Sequence, residues 1–452
     1  MNIIIAGNGK VGTSLALRLS EEGYNLTLID SDPAVLAEVC EACDVIGVEG
    51  NCASMPVLQQ AGVEEADLLI AATSQDEVNL LCCTTAHGLN PQLHTIARIR
   101  NPEYTQQIYA MRDVFALSLS VNPEKQAARE IESLLRLPGF LQRDTFANGR
   151  TAIVELRVDK DSKLRNVLLN SLNGIVKCKV LVCAVLRNGS AITPGGNFVL
   201  QEGDRIFVTA PTANLSALLK NLNLVTRKVR KVLLCGGGRV SLYLAELLCQ
   251  DGVSVSIIEK DYDRCMQLAA ALPEATIIHG DSTDKPLLEE CGLSGCDALV
   301  SLTGMDEMNM ILSLYATNRG VPHVITKLGH TENRSISNNL SLGSVISPRE
   351  LCCDTIVRYV RAMANLTGTA ESVHTIAGGQ VEAVEFRVDQ HTLHQGIPLK
   401  ELRLRDGVLL VSITHGSVTE IPGGNSAFVD GDTIVVVTSR RGSLRQINDI
   451  FA

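Results

Sequence analysis

Short apolar runs alternate with longer amphipathic stretches in two parts of the chain, residues 1 to about 110 and a second part that begins near residue 230. Continuous apolar runs are typical of strands covered on both faces, and the stretches between them are long enough for helices. The pattern predicts two parallel sheets whose right-handed crossovers place all strand carboxyl ends at one edge. The predicted strands are Ile3 to Ala6, Leu26 to Ile29, Asp44 to Val48, Leu68 to Ala71 and Thr95 to Ile99, then Val232 to Leu234, Val255 to Ile258, Thr276 to His279, Ala298 to Leu302 and Val324 to Lys327.

The pattern changes after about residue 138 and again near the C-terminus, where strand-like runs are separated by Asn- and Gly-rich turns. Each of these parts is predicted to form a small α+β unit. Pro123 and Pro348 each precede a long helical pattern that connects the two types of unit. The predicted strands are Ala152 to Val158, Lys179 to Leu186, Arg205 to Thr209, Glu382 to Val388, Val408 to Thr414 and Thr433 to Val437, and the predicted helices are Gln126 to Leu135, Leu164 to Ser171 and Leu351 to Ala364.

The landmarks of the first half recur about 225 to 230 residues later, which indicates a tandem duplication. A chain of 452 residues exceeds the size of a single core, and each half is expected to divide again because it contains both unit types. We therefore predict an α/β protein with two Rossmann-like parallel-sheet domains, each followed by a small α+β domain. The predicted ranges are 1–138, 139–225, 226–365 and 366–452. The matching motifs are Gly7 to Gly12 with Gly236 to Ser241, Thr73, Asp76, Glu77 and Asn79 with Thr303, Asp306, Glu307 and Asn309, and Pro194 to Asn197 with Pro422 to Asn425.

The loop from Gly7 to Gly12 has the chemistry of a dinucleotide-binding turn. Its first glycine permits a tight strand-to-helix turn, the second lets a pyrophosphate approach the backbone, and the third allows the helix and strand to pack closely. Free N–H groups and the helix dipole then face the phosphates. Lys10 and the matching Arg239 stand where a cation could reach a phosphate, or they are plain surface residues.

Asp30 follows the second predicted strand, 21 positions after Gly9. A carboxylate there hydrogen-bonds ribose hydroxyls and repels a 2′-phosphate, by about 4 kcal/mol at ~4 Å and an effective dielectric of 20. NAD or an adenine nucleotide therefore fits this site, and NADP does not. The alternative role for Asp30 is that of a cap for the helix that follows.

The second loop departs from this pattern. Ser241 replaces the third glycine, and Glu259 replaces the aspartate. Asp281 and Ser282 follow the third strand, where the first half has Asn51 and Cys52. We expect the second cleft to bind a nucleotide, but with a preference that differs from that of the first cleft.

Composition excludes several other functions. The net charge of −10 and the 3% aromatic content with no Trp argue against a nucleic-acid or anionic-lipid surface. The longest apolar run, Val180 to Leu186, is too short for a membrane helix, and no secretory leader precedes the first strand, so we expect an intracellular protein. The 14 cysteines are expected to be reduced thiols, and neither a metal site nor a catalytic residue is predicted.

Taken in order and twice over, these motifs resemble the regulator-of-potassium-conductance (RCK) architecture, in the tandem form of the cytosolic subunits of bacterial and archaeal Trk potassium-uptake systems. The resemblance implies NAD(H) and ATP or ADP as ligands. It also implies a homo-oligomer, a tetrameric ring beneath a TrkH/TrkG-like potassium-translocating membrane subunit, at the inner face of the cell membrane. The loop chemistry and the resemblance together predict a first site of Gly7, Asn8, Gly9, Lys10, Val11, Gly12, Asp30, Asn51, Cys52, Thr73, Arg98 and Arg100, and a second site of Gly236, Gly238, Arg239, Glu259, Asp281, Ser282 and Thr303.

Two other classes of function share the same loop. A nicotinamide-dependent oxidoreductase would need an acid or base beside the cofactor, and His94 and His323 precede the fifth strand of each half, at the far edge of the sheet. A nucleotide-sensing adaptor of another transporter would use the same domains without potassium.

Overall fold

The computed structural model describes residues 1–224, 228–329, 340, 342–364, 370–439, 442, 444 and 446–452. Residue contacts divide the chain into two units. The first unit contains Met1–Ala127 and Ser347–Val360, and the second contains Ala128–Ile346 and Arg361–Ala452. This division groups the chain differently from the four predicted ranges, which remain a prediction.

The first unit is built around a six-stranded parallel sheet with strand order β3-β2-β1-β4-β5-β6. Its central strands are buried on both faces, as the continuous apolar runs predict. The strands are β1 Asn2–Ala6, β2 Asn25–Asp30, β3 Ile46–Glu49, β4 Leu68–Ala71, β5 His94–Arg98 and β6 Leu119–Val121. The helices are α1 Lys10–Glu21, α2 Pro33–Ala42, α3 Met55–Gln60, α4 Asp76–Leu89, α5 Pro102–Ala110 and α6 Pro123–Arg136, whose C-terminal part belongs to the second unit.

The second unit repeats this sheet and adds two five-stranded antiparallel sheets, ordered β10-β9-β11-β8-β7 and β18-β19-β22-β20-β21. The two antiparallel sheets share one apolar cluster, which includes Phe146, Phe207 and Val435. The architecture therefore confirms the predicted fold class. The elements are β7 Gln142–Phe146, β8 Thr151–Arg157, α7 Leu172–Val176, β9 Leu181–Arg187, β10 Ser190–Ile192, β11 Arg205–Pro211, α8 Leu215–Leu222, β12 Lys231–Cys235, α9 Arg239–Gln250, β13 Ser254–Glu259, α10 Tyr262–Ala271, β14 Thr276–His279, α11 Lys285–Glu290, β15 Ala298–Ser301, α12 Asp306–Asn318, β16 His323–Lys327, β17 Ser344–Ile346, α13 Pro348–Ala364, β18 Ala370–Ile376, β19 Val381–Arg387, β20 Val408–His415, β21 Val418–Glu420 and β22 Thr433–Thr438.

The helix predicted from Leu164 to Ser171 is wrong. Asn166 has a positive φ of 60°. Its N–H donates to the carbonyl of Leu200 at 2.8 Å, so this segment pairs with the loop around Leu200 and does not form a helix. A positive φ interrupts a right-handed helix. Helix α7 begins after this segment, at Leu172.

Within the residues that the structure describes, none of the helices has the length and apolar character needed to cross a membrane.

Candidate functional site

Two glycine loops occupy equivalent places at the carboxyl edges of the two parallel sheets. The first joins β1 to α1 and the second joins β12 to α9, and Gly9 and Gly238 are the N-cap residues of those helices. Lys10 and Arg239 are exposed at the first helical position, and Val11 is buried beneath the first turn. Each loop therefore presents free backbone N–H groups at a helix start, where an anion is stabilised.

The three glycines of the first loop have different structural roles. Gly7 has a φ of 91°, in the region that favours glycine, and a β-carbon there would lie 2.7 Å from the backbone of Thr73. A β-carbon at Gly12 would lie 2.0 Å from the carbonyl oxygen of Gly7. A β-carbon at Gly9 would meet no described heavy atom within 4 Å, so the space above this residue is open for a ligand.

The second loop keeps the turn but changes its packing. Gly236 has a φ of 106°, and the space beside Gly238 is open among the described residues. The Ser241 side chain is buried, and its hydroxyl donates a hydrogen bond to the carbonyl of Gly236. The loop has therefore adjusted to a side chain that the geometry of the first loop excludes.

The acidic residue after the second strand binds its own glycine loop in both halves. Asp30 accepts the backbone N–H of Asn8 at 2.6 Å, and Glu259 accepts that of Gly237 at 2.6 Å. The cap of α2 is Asp32, which accepts the N–H of Ala34, so the capping role considered for Asp30 is wrong. Each carboxylate lies at the loop and retains lone pairs for a ribose hydroxyl.

Asn8 indicates that the first loop fits a polar ligand. Its side chain is 2% exposed, and neither its amide nitrogen nor its amide oxygen has a hydrogen-bond partner among the described residues. Buried amides are almost always hydrogen-bonded in folded proteins. The loop therefore offers a polar ligand an amide without a partner among the described residues.

Thr73 and Thr303 are held by a structural clamp. The side-chain oxygen of Asn79 accepts both the N–H and the hydroxyl of Thr73, at 2.9 and 2.7 Å, and its amide donates to the carbonyl of Arg98 at 2.8 Å. Asn309 makes the same contacts with Thr303 in the second half. The asparagine thus joins the ends of the fourth and fifth strands of each sheet.

The aspartate of the same motif fixes the next loop. Asp76 accepts the backbone N–H groups of Arg100 and Asn101 at 2.8 and 2.7 Å, and Asp306 accepts that of Gly329. Both aspartates are 6% exposed. The motif that resembles RCK domains therefore shapes the rim of the cleft through Asp76 and Asn79.

The predicted cations at the end of β5 contact backbone carbonyls in this structure. Arg98 donates to the carbonyl of Thr73 at 2.7 Å, and Arg100 donates to that of Ser74. Burial and the neighbouring Arg100 lower the pKa of Arg98. In the second half Lys327 donates to the carbonyl of Leu302 at 3.3 Å. A phosphate contact of these side chains stays a prediction.

The residues after the third strand complete each cleft. Asn51 and Asp281 are exposed, and their side chains accept the N–H groups of Ala53 and Thr283 at 3.0 and 2.8 Å. The Thr283 contacts hold the pKa of Asp281 below its ordinary value, and nearby Lys260 adds to this effect. Cys52 and Ser282 are buried at 6% and 8% exposure, so they support the loop from beneath.

Arg264 is a polar residue of the second cleft that sequence reasoning did not identify. It lies in α10, and its Nε donates to the carbonyl of Gly237 at 2.8 Å. The signal in the sequence was the comparison of the two copies, because the first half has Val35 at the matching helical position.

Two family models match the chain. The TrkA-N domain model matches residues 3–115 and 232–348, which contain the two glycine loops, and the TrkA-C domain model matches residues 153–223.

Two relatives match the chain over nearly their whole length. The chain is 30% identical to the "Trk system potassium uptake protein TrkA homolog" of Archaeoglobus fulgidus, with 100% of both chains covered. It is 29% identical to the "Trk system potassium uptake protein TrkA" of Haemophilus influenzae, with 100% of this chain and 98% of the relative covered.

Solved structures share the fold. The GsuK RCK domain matches with a TM-score of 0.61 and 17% identity, over 96% of this chain and 92% of the other. The GsuK channel bound to NAD also matches with a TM-score of 0.61 at 17% identity, over 97% of this chain and 76% of the other. GsuK bound to ADP matches with a TM-score of 0.51 at 13% identity, over 80% and 69% of the two chains.

Proposed function

The chain belongs to the TrkA family of Trk system potassium uptake proteins, and we propose that it is a nucleotide-binding regulatory subunit that gates a potassium-translocating membrane partner. The observation that carries the proposal is the first cleft. There an open glycine loop, a carboxylate on that loop and a buried unpaired amide converge at the start of one helix.

We assign NAD(H) and adenine nucleotides to the first cleft. The N–H groups of the α1 start would bind phosphate oxygens, and Asp30 would accept a ribose hydroxyl. Asn8 would regain a hydrogen-bond partner, and Arg98 and Arg100 would turn from their carbonyl contacts toward the ligand. Structures of GsuK with NAD and with ADP support this choice of ligand class.

Helix α1 links the cleft to the connector helix of the second half. Residues 348–360 of α13 belong to the first unit, where Arg18 of α1 donates to Asp354 at 2.6 Å and also pairs with Glu350. The thiol of Cys353 lies 3.9 Å from the carbonyl oxygen of Val11, in the first turn of α1. A ligand that displaces the α1 start would therefore act on the packing of α13.

Regulation requires that the nucleotide bind one conformational state better than the other. A nucleotide with equal affinity for both states shifts nothing, and each tenfold preference contributes about 1.4 kcal/mol toward opening or closing. We propose that copies of this chain assemble into a tetrameric ring beneath a TrkH/TrkG-like subunit, which would hold the protein at the inner face of the cell membrane.

The test is potassium flux in vesicles that contain the full chain and its membrane partner. We expect flux to differ between ATP, ADP and NADH, and we expect a Gly9→Val variant to lose the response that depends on the first cleft. Equal flux with all three nucleotides would reject the gating proposal.

We propose no catalytic role for this protein. His94 and His323 are the first residues of β5 and β16, at the amino edge of each sheet, whereas the glycine loops lie at the carboxyl edge. Incubation with NADH and candidate oxidants should leave the nicotinamide absorbance constant. Turnover would instead favour an oxidoreductase, and copurification with a transporter that does not carry potassium would favour an adaptor.

A further inference from the structure

The second cleft contains a cation and a carboxylate that bind the same loop residue. Glu259 accepts the N–H of Gly237 at 2.6 Å, and Arg264 donates its Nε to the carbonyl of Gly237 at 2.8 Å. Glu259 also accepts the N–H of Asp261 at 2.9 Å, so both of its oxygens are hydrogen-bonded. Asp30 accepts the matching N–H of Asp32 at 3.0 Å, so what distinguishes the second cleft is the guanidinium of Arg264 at the loop.

The first cleft has the carboxylate without the cation. Asp30 accepts the N–H of Asn8 in the same way, but the third residue of α2 is Val35, whereas the third residue of α10 is Arg264. The residue after the acid also differs, because Ser31 in the first half corresponds to Lys260 in the second.

The two clefts therefore differ in charge on the side of the second and third strands. In the matched segments the first copy has three carboxylates and no Lys or Arg, whereas the second has four carboxylates and the two cations Lys260 and Arg264. The carboxylates are Asp30, Asp32 and Glu49 in the first copy, and Glu259, Asp261, Asp263 and Asp281 in the second. In a Rossmann-like domain this side receives the adenosine ribose.

We propose that the second cleft binds an adenine nucleotide that carries a phosphate on its adenosine ribose, a ligand that the first cleft rejects. This inference rests on the proposed nucleotide-binding function. A 2′-phosphate beside Asp30 would be repelled, but beside Glu259 it would also meet the guanidinium of Arg264. The open space beside Gly238 among the described residues leaves room for the ligand.

The test is calorimetric titration of the full chain with four nucleotides in separate experiments. The probes are 2′,5′-ADP and 3′,5′-ADP, and ADP and NADH are the comparisons. We expect 2′,5′-ADP to bind at one site per chain. We expect Arg264→Val, which installs the residue of the first copy, to weaken this binding at least tenfold. Arg264→Lys should give an intermediate loss, because lysine keeps the charge without the planar fork.

Two further variants assign the binding to a cleft. Gly9→Val, which fills the first cleft, should leave 2′,5′-ADP binding unchanged, and Gly238→Val should abolish it. The melting temperature of each variant shows whether it is folded. Tighter binding of 3′,5′-ADP than of 2′,5′-ADP would place the recognised phosphate at the 3′ position.

The outcomes separate this inference from the proposed function. If ADP and NADH bind and neither ribose-phosphorylated probe does, the inference is overturned and the proposed function stands. Equal binding of 2′,5′-ADP to the wild type and to Arg264→Val would also overturn it. If none of the nucleotides binds, the proposed function fails as well.

Discussion

Gly12 lies directly beneath the carbonyl of Gly7, because a β-carbon at Gly12 would be only 2.0 Å from that oxygen. Gly9, between them in the same loop, would place its β-carbon in open space among the described residues. One glycine is thus required for the shape of the loop, and the other leaves space for a ligand.

We expect Gly12→Ala and Gly9→Ala to affect different properties. Gly12→Ala should destabilise the fold by about 1–3 kcal/mol, because the new methyl group overpacks the loop. Gly9→Ala should change the free energy of unfolding by less than about 1 kcal/mol, yet weaken NADH binding at least tenfold. Denaturant unfolding and NADH titration of both variants check this pair. Normal NADH affinity in Gly9→Ala would show that no phosphate lies over the loop.

Asn79 is expected to stabilise the fold rather than to contact the ligand directly. It is fully buried and bonds to Thr73 and to the carbonyl of Arg98, so Asn79→Ala leaves buried polar groups without partners. We expect a loss of about 2–4 kcal/mol in the free energy of unfolding. The neighbouring Glu77→Ala removes an exposed contact with Tyr104 and is the control, with an unchanged melting temperature expected. If Asn79→Ala unfolds at the same melting temperature as the wild type, the hydrogen bonds of Asn79 do not stabilise the fold.

The glycine loops and the acidic residue were predictable because they depend on local rules of backbone conformation and charge. The edge strands Leu119–Val121 and Ser344–Ile346 were not, since three-residue strands carry almost no periodicity. The role of Asn79 was also hidden, because its partner Arg98 comes from another strand. The contact of Arg264 could not be predicted, because it joins α10 to the carbonyl of Gly237, 27 residues earlier in the chain.

The pair formed by Arg18 and Asp354 should couple α1 to α13. Burial lowers the pKa of Arg18, but Asp354 and Glu350 outweigh it and raise the value, which indicates a favourable pairing. The Arg18 and Asp354 side chains are each 32% exposed, so we expect a coupling energy of about 1 kcal/mol in a double-mutant cycle with alanine.

Urea unfolding of the single and double variants at low and high salt measures this coupling. It should shrink at high salt, because partly exposed pairs are screened. Arg165→Ala removes the more exposed contact with Glu202 and should leave stability unchanged. Additive effects of Arg18→Ala and Asp354→Ala would show that the pair is not coupled.

Glu130 should make stability depend on pH. Burial, followed by the charge of Asp144, raises the pKa of Glu130 from 4.5 to about 7, and Arg143 and His374 only partly oppose this shift. Between these two values the folded chain holds a proton that the unfolded chain releases, so stability is lost as the pH rises through this window. We therefore compare the free energy of unfolding of Glu130→Gln with that of the wild type at each pH. The difference, variant minus wild type, should be about 1–3 kcal/mol larger at pH 8 than at pH 5.

Denaturant unfolding of the wild type and Glu130→Gln at pH 5 and pH 8 checks this expectation. Glu202→Gln, on an exposed surface, is the control and should show the same difference from the wild type at both pH values. Asp144→Asn should also reduce the pH dependence, because it removes a negative charge that raises the pKa of Glu130. If the stability gap between Glu130→Gln and the wild type stays constant from pH 5 to pH 8, the carboxyl is already ionised throughout this range and its burial is compensated by other groups.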